Sequence, residues 1–309
     1  MKFGIHLPNF SLLGGRDPTI RVARTAEELG FDSLWVSDHV ILPAQIDSRY
    51  PYNNTGVFPI DPTANFVDPF ISLAVAAGCT ERVELGISVL VLPYRNPLVT
   101  AKMLSSLDML AGRRVILAAG AGWLREEFEA LDLPFFEQRG RVTDEWISIF
   151  RTCWEQPLPA FSGEYYRFAP VHFTPKPERR IPIWIGGQSM AALRRAGRLG
   201  DGWHPARMHI DEIGPAITTV KQHATAAGRN PEALEFSMGC VLDVRDGSGD
   251  ATPAPTRDLI GTPVQIGAFV HQLEALGLTH LALDFRAGTS LEAMLVTMDR
   301  FVERVRPLL

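Results

Sequence analysis

The stretch Arg113-Arg-Val-Ile-Leu-Ala-Ala-Gly-Ala-Gly-Trp-Leu-Arg-Glu-Glu-Phe-Glu-Ala-Leu-Asp-Leu-Pro134 holds, in order, a buried strand, a turn of small residues and an acid-started amphipathic segment. Residues 115–119 are unbroken apolar, the pattern of a parallel strand covered on both faces. Gly120-Ala121-Gly122 removes side-chain bulk where that strand ends, and Trp123 places a large flat ring beside the opening. A corner built this way lets something approach the backbone closely.

The same strand-to-helix step recurs along the chain. Strand-like runs lie at 3–7, 33–36, 83–91, 115–119, 183–186, 200–203, 234–242 and 279–284, and helical patterns fill 18–29, 69–77, 97–110, 139–154, 190–199, 210–227, 263–276 and 291–305. Such alternation means a parallel sheet, and over 309 residues a closed barrel is its simplest form. The expected fold is α/β, a (β/α)8 TIM barrel, with residues 1–309 forming one domain. The competing open sheet with a dinucleotide loop needs a third glycine three residues past Gly122, where Arg125 stands.

Three connections are long for a barrel, 41–66, 156–181 and 243–262, and are expected as insertions after strands 2, 4 and 7. The first two are placed at the C-terminal rim, where barrel active sites form. Glu164-Tyr-Tyr-Arg-Phe and Val171-His-Phe-Thr give the second the look of a small hairpin, and the third is rich in Gly, Pro and Asp.

Composition excludes several classes of function. A net charge of -5, with Lys and Arg scattered, offers no basic field for nucleic acid. The start Met1-Lys-Phe-Gly-Ile-His-Leu-Pro8 reads as a strand rather than a leader, and no apolar run approaches the ~18 residues of a membrane span. A soluble, cytoplasmic protein is therefore expected. Cys79, Cys153 and Cys240 are dispersed in apolar surroundings, which indicates neither disulfides nor a thiolate metal site. The four lysines avoid strand ends, Gly-x-Ser-x-Gly is missing and no His pair has metal-ligand spacing.

What remains is a set of rim residues. Ser37-Asp38-His39 follows the second strand, so His39 reads as a hydrogen-bond donor or general acid/base with Asp38 beside it; a helix-cap Asp with a structural His is the bland alternative. His6 ends the first strand and can face the opening or be a satisfied histidine of the barrel wall, and His204 lies just past the sixth, able to bind substrate or merely to cap a loop. Gly186-Gly187-Gln188-Ser189 joins a strand to a helix, a phosphate cradle or simply a glycine turn with Ser189 as N-cap.

Taken together, Gly4-Ile-His-Leu-Pro-Asn9, Ala26-Glu-Glu-Leu-Gly-Phe-Asp-Ser-Leu-Trp-Val-Ser-Asp-His39, Leu85-Gly-Ile-Ser-Val-Leu-Val-Leu-Pro-Tyr-Arg-Asn-Pro97, the opening stretch, Ile181-Pro-Ile-Trp-Ile-Gly-Gly187 and Gly200-Asp-Gly-Trp203 resemble the luciferase-like monooxygenase superfamily, in its branch of coenzyme F420-dependent oxidoreductases. The resemblance covers nearly the whole chain. It implies F420, or alternatively FMN, at the strand C-termini, with Asp38 and His39 near the ring and a cis Ser88-Val89 peptide forming a bulge beneath one face. It further implies that Gly120, Ala121 and Gly122 form a close-approach surface and that Gly186, Gly187, Gln188 and Ser189 hold the phosphate. His39 would be catalytic, while His6, Trp123 and His204 would meet a small organic substrate. Relatives that oxidise sugar phosphates carry Glu where Trp123 stands, which argues against that substrate. The implied activity is hydride transfer; a reduced-flavin monooxygenase and a non-catalytic cofactor-binding barrel are the alternatives. A homodimer is the expected assembly, and residues 41–66, with Tyr50, Tyr52, Phe58 and Phe66, are the expected lid.

Overall fold

Eight strands, β1 (Lys2–His6), β2 (Ser33–Val36), β3 (Glu84–Val91), β4 (Val115–Gly120), β5 (Ile183–Gly186), β6 (Gly202–His204), β7 (Glu235–Val244) and β8 (His280–Asp284), make the wall of the computed structural model. The structure describes residues 1–61, 63–247, 256–286 and 288–309. All neighbouring strands are parallel, in the order β6-β5-β4-β3-β2-β1-β8-β7, and β6 pairs with β7 through Gly202↔Glu235 and Trp203↔Phe236 to close the ring. This is the (β/α)8 barrel that the alternation implies. In the β1–β8 ladder Ile5 faces Leu283, so His6 and Asp284 follow side by side at the C-terminal rim.

The helices are α1 (Arg16–Glu28), α2 (Pro69–Ala77), α3 (Pro97–Leu110), α4 (Arg125–Ala130), α5 (Arg139–Glu155), α6 (Met190–Leu199), α7 (Ile210–Ala226), α8 (Pro263–Ala275) and α9 (Leu291–Arg300). Their starts are chemically marked. Asp68 and Asn96 accept two backbone N–H groups each ahead of Pro69 and Pro97, and Thr262 with Gln265 forms a capping box ahead of Pro263.

The barrel interior is filled, not hollow. Trp35 of β2 stacks on Trp184 of β5 and on His204 of β6, with ring centroids 5.6 and 5.0 Å apart. Room for Trp35 comes from Gly86 on the next strand, where a Cβ would lie 2.2 Å from the indole. Trp35 donates to Ser33 Oγ at 2.8 Å, and that hydroxyl meets His280 Nε2 at 2.7 Å, while the buried Trp184 Nε1 has no hydrogen-bond partner. Burial in this setting lowers the pKa of both His204 and His280 to about 3.

The second long connection departs from expectation. Residues 156–181 follow α5 rather than β4, so they enter β5 from its N-terminal end, not at the catalytic rim. Their hairpin, Phe161–Ser162 against Arg167–Phe168, is held on the outside by Glu145 of α5, which accepts the N–H groups of Glu164, Tyr165 and Tyr166. Of the third connection, residues 248–255 lie outside the described residues; Leu259–Gly261 adds a short parallel strand to Leu242–Val244. Among the described residues no helix is long and apolar enough to cross a membrane.

Candidate functional site

The rim of β2 carries two neighbours with different duties. Asp38 is fully committed: Arg95 donates to both its oxygens at 2.7 Å, and Val91 N–H donates to Oδ2 at 2.9 Å. Burial raises the Asp38 pKa, and the Arg95 guanidinium opposes that rise. Arg95 also reaches Asp68, the cap of α2, so this carboxylate ties β2, β3 and α2 together. Both Asp38 oxygens are thus bonded to protein groups, with the side chain buried at the end of β2.

His39 is held through one ring nitrogen. Its Nδ1 lies 2.6 Å from Oε2 of Glu127, a glutamate of α4 that is 0% exposed. The same carboxylate accepts Tyr94 OH at 2.9 Å and the N–H groups of Val40 at 2.7 Å and Ile41 at 3.2 Å. With every partner of Glu127 a donor, Nδ1 carries the hydrogen of this pair, which leaves Nε2 for the opening. Around the imidazole stand Phe58, Phe66 and Trp123 at 5.3, 5.3 and 6.3 Å. Glu127 is a residue the sequence reading missed; the signal was present, as a carboxylate on the buried face of a short helix directly after the glycine turn.

Across the opening, the peptide between Ser88 and Val89 is cis, and the β3–β4 register shifts between Ser88 and Leu90. The bulge pushes the Val89 side chain between two strand ends. A Cβ on Gly120 would lie 2.6 Å from Val89 Cγ2, and one on Gly186 would lie 2.5 Å from Cγ1. Both glycines are therefore bare because Val89 fills the space, a different reason from direct contact with a cofactor. Gly122, at φ +85°, has Phe128 and Val91 where its side chain would be.

His204 lies beneath this bulge rather than at the opening. Its Nε2 meets Ser88 Oγ at 2.8 Å and its Nδ1 meets Ser237 Oγ at 2.7 Å, so both ring nitrogens are used and the ring is buried. The expectation that His204 touches substrate is corrected: it props Ser88 from below. His6 is also buried, but its Nδ1 has no hydrogen-bond partner.

At β5, Gly187 has φ +97° and Ser189 caps α6 by accepting from Ala192 N–H. Gln188 is occupied with the Ala206 carbonyl, and Gly187 offers its own carbonyl to Trp203 Nε1 at 2.9 Å. Ahead of the Ala192 N–H that Ser189 caps, the N–H groups of Met190 and Ala191 have no intrahelical partner, beside an exposed Ser189. Ala121 and Trp123 are partly exposed, Ala121 between the two glycines and Trp123 under the lid.

The lid itself, residues 41–66, folds over the opening as a layer of rings. Tyr50 packs on Tyr52, Phe58 and Trp123 with centroids 5.1–5.4 Å apart. Burial, then the neighbouring Tyr52, pushes the Tyr50 phenol up to about 12. The floor of the lid is pinned by α4, where Glu126 Oε1 accepts the N–H groups of Asp47 and Ser48 at 2.8 Å.

A model of the luciferase-like monooxygenase family matches residues 1–275. The chain belongs to the luciferase-like monooxygenase family. Among its relatives an uncharacterised protein of Mycobacterium tuberculosis is 36% identical over 210 residues, covering 68% of this chain and 72% of that one. An F420-dependent glucose-6-phosphate dehydrogenase of Amycolatopsis mediterranei is 31% identical, covering 74% of this chain and 65% of its own. Among solved structures, a monooxygenase from Streptomyces bottropensis superposes with a TM-score of 0.80 at 23% identity, over 99% of both chains. At those identities the structures speak to the fold, while the family match places this luciferase-like protein among oxidoreductases.

Proposed function

We propose that this luciferase-like protein is an F420-dependent oxidoreductase that moves hydride between the deazaflavin and a small organic substrate. The observation that carries the reading is His39, its Nδ1 fixed by buried Glu127 and its Nε2 left toward an opening bounded by the Val89 bulge. The 31% identical relative whose name specifies F420 supports that cofactor over FMN.

The residues present fit such a group. Val89 offers a raised apolar platform for one face of a flat ring, and the α6 start offers N–H donors for a phosphate. Ala121 and Gly122 line the turn between them. When bound, the deazaflavin supplies the hydride donor or acceptor. His39 then holds or moves a proton at Nε2 on the substrate heteroatom, Glu127 keeps the imidazole in the tautomer that permits this, and the aromatic lid keeps water out. Trp123, standing where an acid serves the sugar-phosphate oxidisers, gives substrate an apolar wall instead of a proton relay.

The test is a titration of purified protein with F420 and with FMN, each oxidised and reduced. Micromolar binding of F420 and weaker binding of FMN is the expected result. Preference for reduced FMN would favour the monooxygenase reading, tight binding without turnover a non-catalytic barrel, and binding of neither would overturn the proposal.

A further inference from the structure

One buried polar group at the opening is left without work by the reading above. His6 is 6% exposed, and its Nδ1 is buried without a hydrogen-bond partner, an arrangement that costs free energy unless something completes it. Its ring packs edge-on against Phe10 at 5.6 Å, Phe10 stacks on Phe66, and Phe66 touches His39. A row of rings thus connects the two histidines across one space. Beside His6 in the ladder stands Asp284. Its Oδ1 takes the N–H of Phe285 at 2.7 Å, and no ion pair holds it among the described residues. Burial raises its pKa, opposed by His6, and burial lowers that of His6, opposed by Asp284 and the Leu7 backbone.

The other charges at the opening are already matched. Asp38 has Arg95, Glu127 has its four donors, and Arg207 is paired with Asp258 through two nitrogens. An anionic substrate would face the Asp284 carboxyl while the nearby Arg207 is already spent on Asp258, and a cationic one would find at Asp284 a carboxyl that burial drives toward its neutral form and whose Oδ1 already takes the Phe285 N–H. The roof above, Tyr50, Phe58 and Trp123, is apolar and aromatic.

We propose that His6 and Asp284 form the substrate-recognition pole of this site, taking the hydroxyl or carbonyl of an uncharged substrate whose apolar body lies against the lid rings. The inference rests on the reading of the barrel mouth as the active site. His6 Nδ1 and the second Asp284 oxygen offer one donor and one acceptor, which suits a hydroxyl or, with a protonated partner, a carbonyl.

Calorimetry on the cofactor-free and the cofactor-loaded protein tests this with cyclohexanol, benzyl alcohol and acetophenone as neutral probes, and benzoate, phenyl phosphate and benzylammonium as charged ones. The neutral probes are expected to bind at least about tenfold more tightly, and Asp284→Asn and His6→Ala each to weaken them about tenfold, the cost of unpairing one buried polar contact. His6→Gln, which keeps a polar atom, should lose less than His6→Ala, and cofactor affinity and Tm should stay near wild type in Asp284→Asn. Charged probes binding as well as neutral ones, no neutral probe binding, or unchanged affinity in the variants would overturn the inference. Failure of the functional reading looks different: neither F420 nor FMN binds, whatever the probes do.

Discussion

Asp38 and His39 are adjacent in sequence and opposite in use. The carboxylate is spent on architecture, bonded to Arg95 and Val91, while the imidazole is held by one nitrogen and free at the other. Removing His39 should therefore touch chemistry more than folding. His39→Ala is expected to lower kcat by about 10²–10⁴-fold, the usual worth of a positioned acid/base, with a small change in Tm. Glu127→Gln should lose both turnover and stability, because its amide NH2 must face the donors on one side, either Val40 and Ile41 or Tyr94 and His39; the stability loss is expected at about 1–3 kcal/mol in denaturant melts. Unchanged turnover in either variant would make His39 a structural residue. The place of His39 at the rim was legible from its position after a strand, but its partner was not: the two residues are 88 positions apart, and the pairing of β2, β3 and β4 in the sheet is what brings α4 beside the end of β2.

At the scale of elements, α4, which follows β4 and the glycine turn, roots the lid. Consecutive glutamates on α4 split the task, Glu127 holding the lid's root at Val40 and Ile41 and Glu126 holding Asp47 and Ser48. Glu126→Ala should leave the barrel intact and loosen the lid, read as faster cleavage within residues 41–66 by limited proteolysis, about tenfold for the loss of two charge-assisted bonds at a partly exposed site. Equal cleavage in wild type and variant would show that the aromatic cluster alone keeps the lid down. Helix starts such as Pro69, Pro97 and Pro263 were readable to the residue because Pro and its capping neighbour act locally. The 156–181 hairpin was misplaced because a loop's side of the barrel depends on which element it leaves, and α5 intervenes.

For the whole molecule, the packed interior carries a pH signature. Burial holds His204 and His280 at about 3, against 6.5 for the unperturbed group. Between those values the unfolded chain binds more protons than the native one, so stability is lost as pH falls from about 6.5 toward 3. Each histidine is worth about 2 kcal/mol of that loss by pH 5. Carboxyls raised by burial, Asp38 and Asp284, act in the opposite sense, so the clean measurement is a difference. His280→Gln should show a shallower decline of stability between pH 7 and 5 than wild type, and an identical slope would mean that His280 titrates normally in the fold. The number and order of βα units, and with them the barrel, were determined by the sequence alone, since hydrophobic periodicity and capping are encoded within a few residues of where they act. Which groups meet was decided only by the tertiary structure. Val89 lodges between Gly120 and Gly186, Glu127 reaches His39, and His204 turns inward to Ser88, because barrel closure sets the distances between strand ends and local sequence carries no record of them.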